Sequence, residues 1–312
     1  MKYHPLCGWI IINSRKIFAL TAERWYNALN MKTKLENKTF TGERALFQGK
    51  NLFIADSTFE DGESPLKESA DIALENCAFK WKYPLWYSKN LKLENCTLTE
   101  DARAGIWYTD NIQIKGGLIA APKTFRRVDG VTVENADIPN AEETFWHCKN
   151  ITLKNVTAKG AYFALNSENI VCENFRLTGG YCFDGVKNLV IRNAEINTKD
   201  AFWNSKNVTV YDSYISGEYL GWNAENLTLV NCTIESLQGM CYIKNLKLVN
   251  CKLVNTTLAF EYSTVDADIC GGVDSVLNPS GGIIRAGRIG ELIIEPDKVD
   301  PEKTVIICTE AA

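Results

Sequence analysis

The chain has 312 residues, 46% of them apolar, enough to bury a large core, and 34 Lys and Arg against 38 Asp and Glu leave a net charge of −4. That balance argues against a nucleic-acid partner, because the lysines stand singly beside repeat starts (Lys89, Lys149, Lys187, Lys206, Lys244) and form no cluster that could neutralise phosphates. No CxxC or Cys/His spacing points to a metal and no nucleotide or nucleophile-triad motif is present, so no metal, cofactor or membrane partner is expected.

From Met1 to Asn13 the chain has one Lys and the short apolar run LCGWIII, too short to span a bilayer and without a small-residue cleavage site. No export signal is read there, and a cytoplasmic location is expected. Lys16 to Leu29 fits a short amphipathic helix with Phe18, Ala22, Trp25 and Leu29 on one face. Residues 1–40 are accordingly an N-terminal extension or helical cap, although Met31 equally opens a sensible chain of its own.

The phrase NLFIADSTF at Asn51 then recurs as DIALENCAF from Asp71, NLKLENCTL from Asn90, NIQIKGGLI from Asn111 and GVTVENADI from Gly130. It continues from Asn150, Asn169, Asn188, Asn207, Asn226 and Asn245, at intervals of 19 to 21 residues throughout. Self-similarity at this period marks a solenoid. The second and fourth residues of each phrase are apolar, a period of two that describes strands, and the second position never carries a charge. Stacked coils place like residues above like at roughly 4.8 Å. The first and sixth positions are mostly Asn, which tolerates left-handed backbone and can bond open backbone groups, so these columns mark corners. A leucine-rich horseshoe would need a helical segment in each unit, and stretches such as GEYLGWN have no helical period. The expected fold is all-β, a right-handed parallel β-helix over residues 41–277 with about 11–12 coils of 19–21 residues. Among eleven cysteines, Cys77, Cys96, Cys232 and Cys251 stand at the seventh position where other coils have small apolar residues, which predicts buried, reduced thiols. Asp61 to Ser69, DGESPLKES, reads as a solvated bulge in an early coil. Pro279 and the paired glycines of DSVLNPSGG end the regular repeat, and residues 278–312 are expected to supply capping strands and a tail.

These repeats, together with GERALF from Gly42, YPLWYSKNLKLENC from Tyr83, AFWNSKNVTVYDS from Ala201, YLGWNAENLTLVNC from Tyr219 and DSVLNPSGG from Asp274, closely resemble a bacterial family, domain-of-unknown-function family 3737. The resemblance spans about Lys34 to Pro296. It implies a single-stranded right-handed β-helix of the pectin-lyase-like class, and no particular reaction.

Four residues before successive coil starts come Trp86, Trp107, Arg126, Trp146, Leu165, Asp184, Trp203, Trp222, Cys241 and Phe260; five of the eight tryptophans share this column. The next residues are Tyr87, Tyr108, Arg127, His147, Asn166, Gly185, Asn204, Asn223, Tyr242 and Glu261. Alternation turns the uncharged preceding column (Leu85, Ile106, Phe125, Phe145 and so on) inward and the tryptophans outward, unless the chain bends at this corner and reverses them. An outward stripe suits an extended poly- or oligosaccharide: Trp86, Trp107, Trp146, Trp203 and Trp222 for ring contacts, Asn204 and Asn223 for hydroxyls, Arg126 with Arg127 for a carboxylate. Asp184, Asp200 and Glu218 on successive coils, or Arg127 with His147, are the candidates for hydrolase or lyase chemistry. Three readings stay open: a carbohydrate-binding β-helix, a carbohydrate-active enzyme, and a structural or protein-interaction solenoid.

Overall fold

The computed structural model describes residues 32–309, and the expected helix over Lys16–Leu29 lies outside them. Within them the predicted columns are real. One strand per coil runs Thr33–Glu36, Lys50–Ala55, Ala70–Glu75, Lys89–Glu94 and Asp110–Lys115, and so on to Gly281–Ile293 and Thr304–Cys308, every neighbouring pair parallel. Leu52 registers with Ile72, Ile72 with Leu91, Leu91 with Ile112, and Ile112 with Val131, which is the second position of the phrase stacked on itself. Apart from Leu52, which is half-buried near the end of the ladder, these residues and the fourth-position series are buried, as are Phe59, Phe79, Phe125 and Phe145 from other walls of the coil. Equivalent rings lie flat on one another, Phe59 on Phe79 at 4.6 Å and Phe125 on Phe145 at 4.4 Å between centroids. An elongated core therefore runs the length of the solenoid, each coil burying its apolar face only against its neighbours.

The Asn columns form the corners, as their backbone tolerance predicts. In the first, Asn169, Asn188, Asn207, Asn226 and Asn245 all have φ between 58° and 61°. Each donates its amide to the Oδ1 of the Asn one coil earlier, at 2.9 to 3.0 Å. The second runs through Asn135, Asn155, Asn174 and Asn193 at 2.6 to 2.8 Å. Aspartate enters only where a run of donations begins. Asp56, Asp71, Asp129 and Asp212 each accept from the Asn of the next coil. A carboxylate can only accept, so it suits the first rung, whereas an interior rung must give and receive and requires an amide.

A third column escapes the apolar pattern. Ser88, Thr109, Ser167 and Ser263 are fully buried hydroxyls two residues beyond the tryptophan position. Each accepts a backbone N–H from the preceding coil and donates to a carbonyl there, as Ser167 does with Cys148 N (2.8 Å) and Phe145 O (2.6 Å). Backbone polar groups that the bend leaves without sheet partners are thereby satisfied inside the core. The thiols Cys77, Cys96, Cys232 and Cys251 are buried and free, as expected.

The ladder comprises about fifteen turns rather than eleven or twelve, because coils continue at both ends where the phrase lapses. Asp61 to Ser69 is no bulge: Leu66 is fully buried, and Ser64, Leu66 and Glu68 donate their amides to Lys82, Pro84 and Trp86 of the next coil like any other corner. After Pro279 the expected capping strands are further coils: Gly281–Ile293 pairs with Thr264–Leu277 on both sides of a register shift between Ile269 and Gly272, and Thr304–Cys308 adds another.

Candidate functional site

The tryptophan column lies on the outside of the coil, half sunk in it. The column before it, Leu85, Ile106, Phe125, Phe145, Ala164, Phe183 and Phe202, is buried, whereas Trp86, Trp107, Trp146, Trp203 and Trp222 are intermediate. The residues after them, Tyr87, Tyr108, Arg127, His147, Asn204 and Asn223, are exposed, and all have φ between 52° and 58°. This left-handed residue turns the corner, and it explains why a buried, a half-buried and an exposed side chain can follow one another. In the last of these coils Glu261, not Phe260, takes the tryptophan position, since Tyr242 donates its amide to Glu261 O as Tyr87 does to Trp107 O; Phe260 is buried.

The indoles are not open platforms. Trp86 stacks on Trp107 with centroids 5.0 Å apart and planes 6° from parallel. Arg126 continues the stack as a planar cation, its guanidinium carbon 4.4 Å from the Trp107 ring and 4.7 Å from the Trp146 ring. The ladder thus reads Trp, Trp, Arg, Trp, with ring faces turned along the axis and edges outward. Each indole N–H is also engaged: Trp86 donates to Ala104 O, Trp107 to Lys123 O at 2.8 Å and Trp146 to Tyr162 O at 2.7 Å. Arg126 pairs with Glu143 at 3.3 Å, so it is held by the protein, while Arg127 beside it is exposed. Tyr87 and Tyr108 stack likewise at 4.8 Å.

Leu165 and Asp184 interrupt the ladder for two coils. Beyond them Trp203 and Trp222 resume at 6.2 Å and 38°, and Tyr242 follows Trp222 at 4.6 Å. Three residues before the tryptophan position a second outer column runs Tyr162, Tyr181, Asp200, Tyr219. Tyr162 stacks on Tyr181, Tyr181 meets Trp203 edge to face, and Tyr219 meets Trp222 the same way. Asp200 sits between the two tyrosines in register and is 2% exposed. Its Oδ1 has no hydrogen-bond partner, and burial, with a small addition from Glu218, outweighs Lys199 and the Tyr219 backbone N–H and holds its pKa above the usual carboxylate range.

Asp184, Asp200 and Glu218 do fall on successive coils, but in three different columns. Asp184 accepts from the Asn204 amide at 2.9 Å, and Glu218 is half-exposed one residue before Tyr219. Arg127 and His147 are brought together as successive rungs of the exposed column. They line a surface groove of about 400 Å³ with Asp129, Lys149, Asn166 and Glu168, where Lys149 and Glu168 pair at 2.6 Å. Burial, then Arg127 and Arg126, hold the His147 imidazole below its ordinary pKa, so it is neutral at pH 7. Sequence reasoning missed the tyrosine column at 162, 181 and 219. Its signal was there, an aromatic three residues before the tryptophan position, but broken by Asp200 and by Glu143. Among the described residues no cluster of metal-ligating side chains occurs, and no helix is long and apolar enough to cross a membrane.

The family model for "Protein of unknown function (DUF3737)" matches residues 33–307, and the chain belongs to that family. No curated protein matches it. Among solved structures it is similar to PfbA, a surface adhesin of Streptococcus pneumoniae (9% identity, 90% of this chain and 88% of that one, TM-score 0.40). It is also similar to the A-module of the Azotobacter vinelandii mannuronan C-5 epimerase AlgE6 (13%, 97% and 96%, 0.40). A hyperthermoactive exopolygalacturonase from Thermotoga maritima is a third (10%, 92% and 87%, 0.32). The fold assignment rests on the parallel ladder itself.

Proposed function

We propose that this member of the DUF3737 family binds an extended carbohydrate along its aromatic corner, with the chain lying parallel to the solenoid axis. The observation that carries the reading is the exposed column beside the indoles, where Tyr87, Tyr108, Arg127, His147, Asn166, Asn204, Asn223 and Tyr242 repeat once per coil. A polymer laid along them meets a hydroxyl, amide, imidazole or cation at each rung except that of Gly185, all with left-handed backbone that fixes their direction. Because the ladder rings face one another, recognition runs through tyrosine hydroxyls, Asn amides and Arg127 toward sugar hydroxyls and carboxylates, with indole edges as the apolar floor. A glycan array followed by titration against neutral glucans and polyuronates tests this, together with a reducing-sugar and unsaturated-product assay for turnover. Tyr108→Ala with Arg127→Ala is expected to weaken the best ligand about tenfold or more, the equivalent of 1.4 kcal/mol. No binding and no turnover across both polymer classes would refute it.

One observation favours a second reading. The stacked ring faces are occupied by each other, as they would be in a ladder whose task is to stiffen the corner of a structural or interaction solenoid. On that reading Trp107→Ala lowers stability and Tyr108→Ala changes nothing.

A further inference from the structure

The two ends of the ladder differ in a way the aromatic face does not require. The first strand, Thr33–Glu36, carries Lys34 and Glu36, paired at 2.7 Å. The last, Thr304–Cys308, reads TVIIC and contains no charge, no Pro and no bulge, the devices that normally keep an edge from pairing. On one side it registers with Gly282–Ala286; among the described residues nothing pairs its other side. Val305 is 51% exposed and Ile307 42%, and Leu292 on the preceding coil is exposed too. Ile306 points inward and is only half covered, packed against the end of the core.

We propose that this edge is a dimer interface, at which a second copy of the chain adds its own Thr304–Cys308 strand antiparallel to the first about a two-fold axis through Ile306. The pattern of the strand is self-complementary under that operation. With Ile306 opposite itself, Val305 falls opposite the partner's Ile307, so the two exposed apolar residues of each copy cover those of the other on the outer face. On the inner face Thr304 falls opposite the partner's Cys308, and the two Ile306 side chains close the half-covered core ends against one another. Shifting the register by one residue would put inward positions opposite outward ones, so the alternation selects the pairing centred on Ile306. The charged residues Glu302 and Lys303 precede the strand and stay outside the five paired positions. The operator is closed: it joins two solenoids and stops, whereas pairing of unlike ends would propagate into a filament.

Sedimentation velocity on the full chain over a wide dilution series tests the proposal. The expected result is a monomer–dimer equilibrium, with Val305→Lys combined with Ile307→Lys sedimenting as monomer while its far-ultraviolet spectrum stays at the parent's and its melting midpoint matches that of the parent diluted to monomer. Both positions are exposed, so the variant folds. A second test fixes the geometry. Thr304→Cys is expected to yield an oxidised covalent dimer through the partner's Cys308, at least tenfold more than the parent chain. In the parent the two Cys308 residues lie four residue steps apart across the two-fold, roughly 14 Å at 3.4 Å per step, too far to bridge. A monomer at every concentration, a dimer that survives both lysines, open-ended growth, or equal cross-linking of parent and variant would each overturn it.

Discussion

Asn188 stands in the middle of the longest corner ladder, and replacing it by Ala and by Gly separates the two reasons for its presence. It donates to Asn169 Oδ1 and accepts from Asn207 Nδ2, both at 3.0 Å, with φ at 58°. Either substitution removes both hydrogen bonds, a loss of about 1 kcal/mol in total at an exposed site, the low end of the range for two bonds. Alanine then adds the left-handed cost of an L-residue, roughly 1–2 kcal/mol, for a sum of about 2–3. Glycine escapes that term and instead loses more backbone freedom on folding, about 0.5–1 kcal/mol, for a sum of about 1.5–2. Gly is therefore expected to be the milder replacement by about 0.5–1 kcal/mol, the reverse of their order in ordinary secondary structure. Urea unfolding followed by circular dichroism measures the difference, provided both variants keep a single transition with the parent slope. Alanine equal to or better than glycine would refute the assignment of this column to left-handed backbone, and with it the account of every corner built the same way.

Asp200→Asn, which keeps the shape of the neutral carboxyl and carries no charge, is expected to stabilise the protein near pH 7, because burial disfavours the ionised carboxylate there. Since the folded carboxyl titrates above its unfolded value, the parent keeps its full stability at acid pH and loses some as pH rises through the folded pKa; the gap between variant and parent must widen upward across that interval, and a gap constant with pH would contradict the burial. Arg126→Leu removes the cation from between Trp107 and Trp146 and its pairing with Glu143, and should cost about 1–2 kcal/mol in chemical denaturation, whereas Arg127→Leu should cost almost nothing. Thiol labelling of the native protein, diluted to monomer, should find Cys270 and Cys308 reactive among the ten described cysteines. Cys148, Cys182 and Cys241, each with its pKa pushed up by burial to about 12, should react only once the coils are unfolded.

How much of this the residues announce depends on whether a position repeats. The apolar second and fourth positions and the corner asparagines repeat almost without exception, and the strands and left-handed corners follow from them. Leu66 shows the opposite case: surrounded by Asp61, Glu63, Lys67 and Glu68 it reads as a solvated segment, yet backbone bonds to the next coil carry it into the core column. Val305 and Ile307 likewise belong to a coil without the Asn signature, visible only through its pairing with Gly282–Ala286. At the candidate site, alternation correctly turns the tryptophans outward, but it says nothing about rotation of the rings. That ring faces point along the axis is fixed by contacts between coils, such as the Trp146 indole reaching Tyr162 O, and these depend on side-chain angles that no column of letters specifies.

The asparagine ladders also make the molecule a counting device. A rung bonds only if its partner lies one whole turn away, 19 residues for most of the chain and 20 or 21 at a few corners. Losing one residue from the five-residue step between the two corners would take one corner column out of register and turn inward side chains of that strand outward, whereas losing the 19 residues from Asn188 to Lys206 would set Asn207 on Asn169. Length in this protein changes in whole turns. Natural variants should accordingly differ by complete coils, and an engineered shortening by one coil should cost the stability of that coil's interfaces without disturbing the rest.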